Sequence, residues 1–83
     1  MIKVLFFARL RCDIGRDDIS LDLPESVASV GDLTRHLIAH YPEWSGVLDA
    51  DNVLVAVNQT YANTLTEIQN GDEIAYFPPV TGG

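Results

Sequence analysis

The residues with the clearest chemical potential close the sequence: Gly82-Gly83, carried on the stem Pro78-Pro79-Val80-Thr81. A terminal carboxylate on glycine has no β-carbon beside it, and glycine tolerates backbone angles closed to other residues. The Gly83 carboxylate is therefore open on both sides to a nucleotide or a sulfur donor. The five residues 79–83 extend at most ~17 Å, so the tip of residues 78–83 suits threading into a narrow channel behind a stiff proline stem. A carboxylate is a poor electrophile, and loading it with sulfur requires prior activation, for which an acyl-adenylate made with ATP is the expected form. The sequence has no phosphate-cradling glycine loop, which assigns that activation to another protein. Small residues at a terminus also occur without function. Two successive glycines arise by chance at roughly 0.5%, so the ending alone disfavours that plain reading only mildly.

Other reactive side chains give weaker patterns. His36 and His40 are four apart at helical spacing and would share a face, but no third residue has metal-ligand spacing, so no metal site is expected. Cys12 is the only cysteine. It has no sequence-adjacent histidine or lysine to activate it, leaving Arg9, Arg11 and Arg16 as its possible cationic neighbours. The carboxylates Asp17-Asp18, Asp49 with Asp51, and Asp72-Glu73 fall in turn-like segments without an apolar pocket, and read as solvated charge. Asp72 and Glu73 also stand near the tail, where they would steer a basic partner. Lys3 is the sole lysine, one side chain for any polymeric linkage.

With 83 residues, 47% of them hydrophobic, the chain suits one core, and a single domain over 1–83 is expected. Five basic against twelve acidic residues give a formal charge of −7, which disfavours nucleic acid and anionic membranes and favours a basic protein surface. A lone cysteine excludes an internal disulfide and a four-cysteine metal or iron-sulfur centre. The apolar start, residues 2–8, is too short to span a bilayer and no cleavage signature follows it, so a cytoplasmic location is the expectation.

The elements that must carry the tail follow from periodicity. Alternation predicts a strand over 2–10, with Ile2, Val4, Phe6, Ala8 and Leu10 on one face and Leu5 and Phe7 on the other. Gly and Asp in residues 12–18 break it, and Ile19, Leu21 and Leu23 resume alternation up to Pro24, completing a hairpin. Ser29 and Asp32 resemble a capping box, and Val30, Leu33, Leu37 and Tyr41 continue a helix that must end before Pro42. Trp44, Val47 and Leu48 form a short turn closing the core edge. Residues 53–57 suit a buried strand with Asn58-Gln59 exposed, residues 61–69 read as irregular, and the Asn70-Gly71 turn leads into a last strand over 73–77. Pro78 and Pro79 lack ladder donors, so the sheet releases the chain there. The prediction is an α+β fold, a β-grasp with a mixed sheet packed on one main helix and a flexible Gly-Gly tail.

Three segments, Val4-Leu5-Phe6-Phe7-Ala8, Ala56-Val57-Asn58-Gln59-Thr60 and the closing Gly71-Asp72-Glu73-Ile74-Ala75-Tyr76-Phe77-Pro78-Pro79-Val80-Thr81-Gly82-Gly83, make the chain resemble the small, sulfur-carrying subunits of molybdopterin synthase. The last is the most specific, because the similar thiamine sulfur carriers usually lack the Phe-Pro-Pro-Val stem; the helix region resembles the family less closely. The resemblance implies that a ubiquitin-activating-type enzyme adenylates Gly83 and a sulfurtransferase converts it to a thiocarboxylate. It further implies that Pro78, Pro79, Val80, Thr81 and Gly82 thread into a large synthase subunit, within a heterotetramer. Sulfur from two loaded carriers would convert cyclic pyranopterin monophosphate to the molybdopterin dithiolene. Catalytic side chains would belong to the large subunit, and the chain would be no enzyme on its own and bind no cofactor.

Alternation puts Phe7 opposite the Phe6 face and Phe77 opposite the Ile74 and Tyr76 face, while Tyr61 follows the exposed turn. The three are predicted to form one apolar patch, at positions where the resembling family docks its partners. The competing reading has Leu5 and Phe7 covering a second core under loops. A carrier for thiamine or another thiolated product, and a ubiquitin-like modifier joined through Gly83, stand as alternative functions.

Overall fold

Ile2, Val4 and Phe6 alternate inward along the first strand, β1 (Ile2–Phe6), and are almost wholly buried. The computed structural model describes residues 1–49 and 53–79. After β1 come α1 (Arg9–Ile14), β2 (Asp18–Leu21), α2 (Val30–His40), a 3-10 turn (Pro42–Trp44), α3 (Ser45–Leu48), β3 (Leu54–Val57), β4 (Thr60–Ala62) and β5 (Glu73–Phe77). The strands form one mixed sheet in the order β2-β1-β5-β3-β4, with β1 and β5 parallel at its centre and the remaining pairs antiparallel.

The predicted strand over 2–10 is too long. β1 ends at Phe6, where its amide reaches Asp17 O at 2.9 Å, the last ladder bond that β2 offers on that side. Ala8 then adopts φ 55° and the chain coils into α1. Leu10 does reach the core, but from a helix: with Ile14 at i+4 it forms the buried stripe of α1. Gly15, at φ 83°, closes the helix in the left-handed conformation that favours glycine.

α2 begins as its sequence indicates. The Asp32 amide donates to Ser29 Oγ at 3.2 Å, and the Asp32 carboxylate accepts from the Ala28 amide at 3.2 Å. The acid thus reaches one residue beyond the cap, with Arg35 also pairing to it. The first two helix amides, of Val30 and Gly31, donate to Thr66 O and Thr64 O at 2.9 Å, so the loop after β4 closes the helix start. A β-carbon at Gly31 would lie 3.1 Å from Thr64 O, which explains a glycine inside a helix. Pro42 ends α2, with Tyr41 N–H donating to Leu37 O.

β3 falls in the predicted strand over 53–57, but it continues through a hairpin into β4, whose Tyr61 and Ala62 lie in the stretch predicted as irregular. Asn58 and Gln59 both take positive φ, 51° and 68°, which supplies the twist of a two-residue hairpin without glycine. Asn58 holds the turn against β5: its Oδ1 accepts from Glu73 N–H and its Nδ2 donates to Asp72 Oδ1, both at 3.0 Å.

The core joins the inner sheet face to α2, α1 and the Trp44 turn. Phe6 meets Trp44 edge-on at 5.4 Å between ring centroids and stacks over Tyr76 at 6.1 Å. Burying side chains of this size contributes roughly 1.5–3 kcal/mol each. Tyr76 keeps its hydroxyl satisfied: Thr34 gives its proton to Val30 O, so Tyr76 O–H donates to Thr34 Oγ1 at 2.7 Å. Burial pushes the Tyr76 phenol up to about 12.

Candidate functional site

The outer face of the sheet is built from the alternate residues of the core strands. Across it the registers align Leu5, Ala75, Ala56 and Tyr61 in one row, with Phe77 opposite Leu54 in the next. Tyr61 and Phe77 meet with ring centroids 5.8 Å apart, tilted by 51°. Phe7 extends the β1–β5 ladder, its amide donating to Tyr76 O at 3.1 Å, which sets it one step past the Phe6–Tyr76 pair and next to Phe77 in register. The three predicted residues thus share a face, with ring contact between Tyr61 and Phe77.

Tyr61 is 74% exposed and Phe7 40%, values that rule out a second core covering this side. The alanines Ala56 and Ala75 leave a shallow floor between the larger groups. Leu5, Leu54, Ala56 and Ala75 escaped the sequence reading as parts of the patch, because alternation within one strand does not say which residues of other strands lie beside it. The signal present was a run of small or apolar residues at the outward positions of three strands.

The tail starts from this face. β5 ends at Phe77, and Pro78 follows in a cleft of about 250 Å³ with Arg9, Leu10, Asp13, Val47 and Val53. Pro79 is half-buried. Val80, Thr81, Gly82 and Gly83, the remaining tail residues singled out from the sequence, lie outside the described residues.

Cys12 is exposed, and two of the three arginines near it in sequence, Arg11 and Arg16, are engaged elsewhere. Arg11 Nε lies 3.4 Å from Asp17 Oδ1 and 3.5 Å from Phe6 O, while Arg16 stands 5.7 Å above the Tyr41 ring. The His36 and His40 rings are 4.2 Å apart, and burial, with His40 beside it, lowers the His36 pKa. Among the described residues no three His, Cys, Asp or Glu side chains are grouped to hold a metal ion, and no charged side chain is buried. Asp18 lies 4.0 Å from Lys3. Asp72, expected as solvated charge, is instead a turn-former: its Oδ2 accepts from Gln69 N–H at 2.9 Å while Oδ1 takes the Asn58 amide. Asp51 lies outside the described residues. Among those described, no helix is long and apolar enough to cross a membrane.

Comparison with known proteins agrees with this geometry. The ThiS family matches residues 4–83. The chain is 43% identical to the molybdopterin synthase sulfur carrier subunit of Haemophilus influenzae and 42% identical to that of Escherichia coli, each over 100% of both chains. Among solved structures, SAMP1 from Haloferax volcanii superposes with a TM-score of 0.81 at 30% identity, over 99% of this chain and 98% of that one. A putative molybdopterin converting factor subunit 1 from Pyrococcus furiosus gives 0.77 at 34%, over 95% and 97%. The ubiquitin-like β-grasp fold, the family match from residue 4 to residue 83 and the full-length relatives together establish that this chain belongs to the ThiS family, with the molybdopterin synthase sulfur carrier subunits among its members.

Proposed function

We propose that the chain is the sulfur carrier subunit of a molybdopterin synthase and that the Gly83 carboxylate is its working group. The observation that carries the reading is the full-length identity of 43% and 42% to two such subunits. It is supported by an apolar face that runs into the tail through Phe77, beside which Tyr61 stays 74% exposed. In this reading the carboxylate attacks the α-phosphate of ATP on an activating enzyme and releases pyrophosphate. A sulfide-level nucleophile delivered by a sulfurtransferase then attacks the acyl carbon, expels AMP and leaves a thiocarboxylate on Gly83. Pro78, Pro79, Val80, Thr81 and Gly82 deliver that group into the large subunit, which docks over Phe7, Tyr61 and Phe77 and supplies the catalytic side chains. Sulfur passes there to cyclic pyranopterin monophosphate, hydrolysis returns the carboxylate, and the carrier binds no cofactor of its own.

The test is reconstitution with the activating enzyme, a sulfur donor and the large subunit. Deleting Gly83, or adding one residue after it, should abolish sulfur transfer while thermal unfolding stays unchanged, because the sheet ends at Phe77. Retained molybdopterin formation by either variant would refute the assignment.

A second reading has one specific observation in its favour. The likeness to SAMP1, a small archaeal modifier protein, at a TM-score of 0.81 supports conjugation of Gly83 to other proteins. Conjugates of higher mass that disappear when Gly83 is deleted would favour it.

A further inference from the structure

A groove beside the sheet edge lies far in sequence from the tail and is lined by none of the residues assigned above to the carrier cycle. β1 gives alternate amides to β5, with Lys3 N–H on Asp72 O and Phe7 N–H on Tyr76 O at 3.1 Å, and turns Phe6 N–H to Asp17 O at 2.9 Å. In the antiparallel β1–β2 ladder the backbone groups of Asp17, Ile19 and Leu21 therefore face β1, and those of Asp18 and Ser20 face away. β2 is the last strand on its side of the sheet, so among the described residues no strand pairs with those outward N–H and C=O groups.

Between this edge and α2 runs a groove of about 490 Å³. Its floor is apolar, from Ile19, Leu21, Leu37 and Tyr41. Its α2 side carries His36 and His40, and Arg16 closes one end above the Tyr41 ring. The other wall carries Asp18, which is offset by Lys3, together with Ser20 and Asp22. The groove thus holds a fixed cation at one end and two imidazoles along α2, facing the carboxylates of Asp18 and Asp22 across an apolar floor.

We propose that this groove receives an extended segment of a different protein, which pairs along β2 as a sixth strand. Its alternate side chains turned toward α2 are apolar, and one carboxylate at its end meets Arg16. Charge selects the occupant. In a second copy pairing antiparallel about Ser20, Asp18 would stand opposite Asp22 twice, and like charges directly opposite oppose such pairing. An acid-bearing apolar segment instead gains backbone bonds from Asp18 and Ser20, floor contacts, and the Arg16 cation. The groove shares no residue with the Phe7, Tyr61 and Phe77 face, so its occupancy neither requires nor excludes the carrier function.

The experiment titrates the isotope-labelled full chain with a synthetic peptide of alternating valine and lysine ending in aspartate, followed by nuclear magnetic resonance. Saturable shifts at the amides of residues 18–22 and 36–41, with slowed exchange of the Ser20 amide, are expected. Arg16→Glu should weaken binding about fivefold, the scale of one exposed charge pair. Ser20→Pro should abolish it without disturbing core resonances, since that amide serves no bond within the sheet. The absence of saturable shifts at millimolar peptide would overturn the proposal. So would shifts confined to the Tyr61 and Phe77 region, wild-type affinity of a folded Ser20→Pro, or concentration-dependent shifts at Ser20 without peptide, which would point to a second copy.

Discussion

The two faces of the sheet are made by neighbouring residues of the same strands, and they meet opposite fates. Phe6 and Tyr76 are 1% and 2% exposed and packed against Trp44 and Thr34, whereas the next residues, Phe7 and Phe77, are left outside that core. Ile74, at the heart of the inner face, flanks Ala75, which floors the outer one. Both faces are apolar, so hydrophobicity alone does not distinguish them. What separates them is the layer of helices, which covers the inner side only and leaves open the apolar patch over which we propose the large subunit docks.

That contrast breaks most visibly in the core. Phe6→Ala should cost about 3–5 kcal/mol, a large part of the stability of a domain this size, and denaturant unfolding should show a much lower midpoint. Phe77→Asp on the outer face should reverse the pattern: large-subunit binding falls by about 2 kcal/mol or more, roughly thirtyfold, while the unfolding midpoint stays close to that of the parent. A large stability loss with binding unchanged would place Phe77 with the core instead.

Two smaller effects sharpen the inner side. The folded-state phenol of Tyr76 is raised from 10.0 to about 12, so the neutral form is favoured in the folded protein. Its stabilisation is complete below pH 10 and is lost as pH rises toward about 12. Urea midpoints measured across that window should fall, and Tyr76→Phe should flatten the fall while losing about 1 kcal/mol at neutral pH with its bond to Thr34. Ser29→Ala should cost about 1 kcal/mol through loss of the α2 cap, read as a modest drop in melting temperature.

The sequence carried the inner face well because alternation and helical spacing report burial directly: Ile2, Val4 and Phe6, then Leu33 and Leu37, then Ile74 and Tyr76. It misplaced Leu10, whose burial fits an extended strand or a helix with Ile14 equally; the reach of β2 decided between them, a tertiary fact. It missed β4 because three residues give too little pattern, and because the turn at Asn58-Gln59 uses positive φ without a glycine to announce it. For the outer face, Phe7, Tyr61 and Phe77 were legible as outward aromatics, while Ala56 and Ala75 became visible only once strand register set them side by side. The stem of prolines was legible as the point where the sheet lets go, since a missing N–H cannot join a ladder.

The central claim rests on one atom exchange at the end of the chain. Intact mass spectrometry of the protein isolated from its native host, followed by fragmentation, should find a fraction in which one sulfur replaces one oxygen on Gly83, and that fraction should vanish when Gly83 is deleted. A population containing only the unmodified chain and higher-mass conjugates would contradict it.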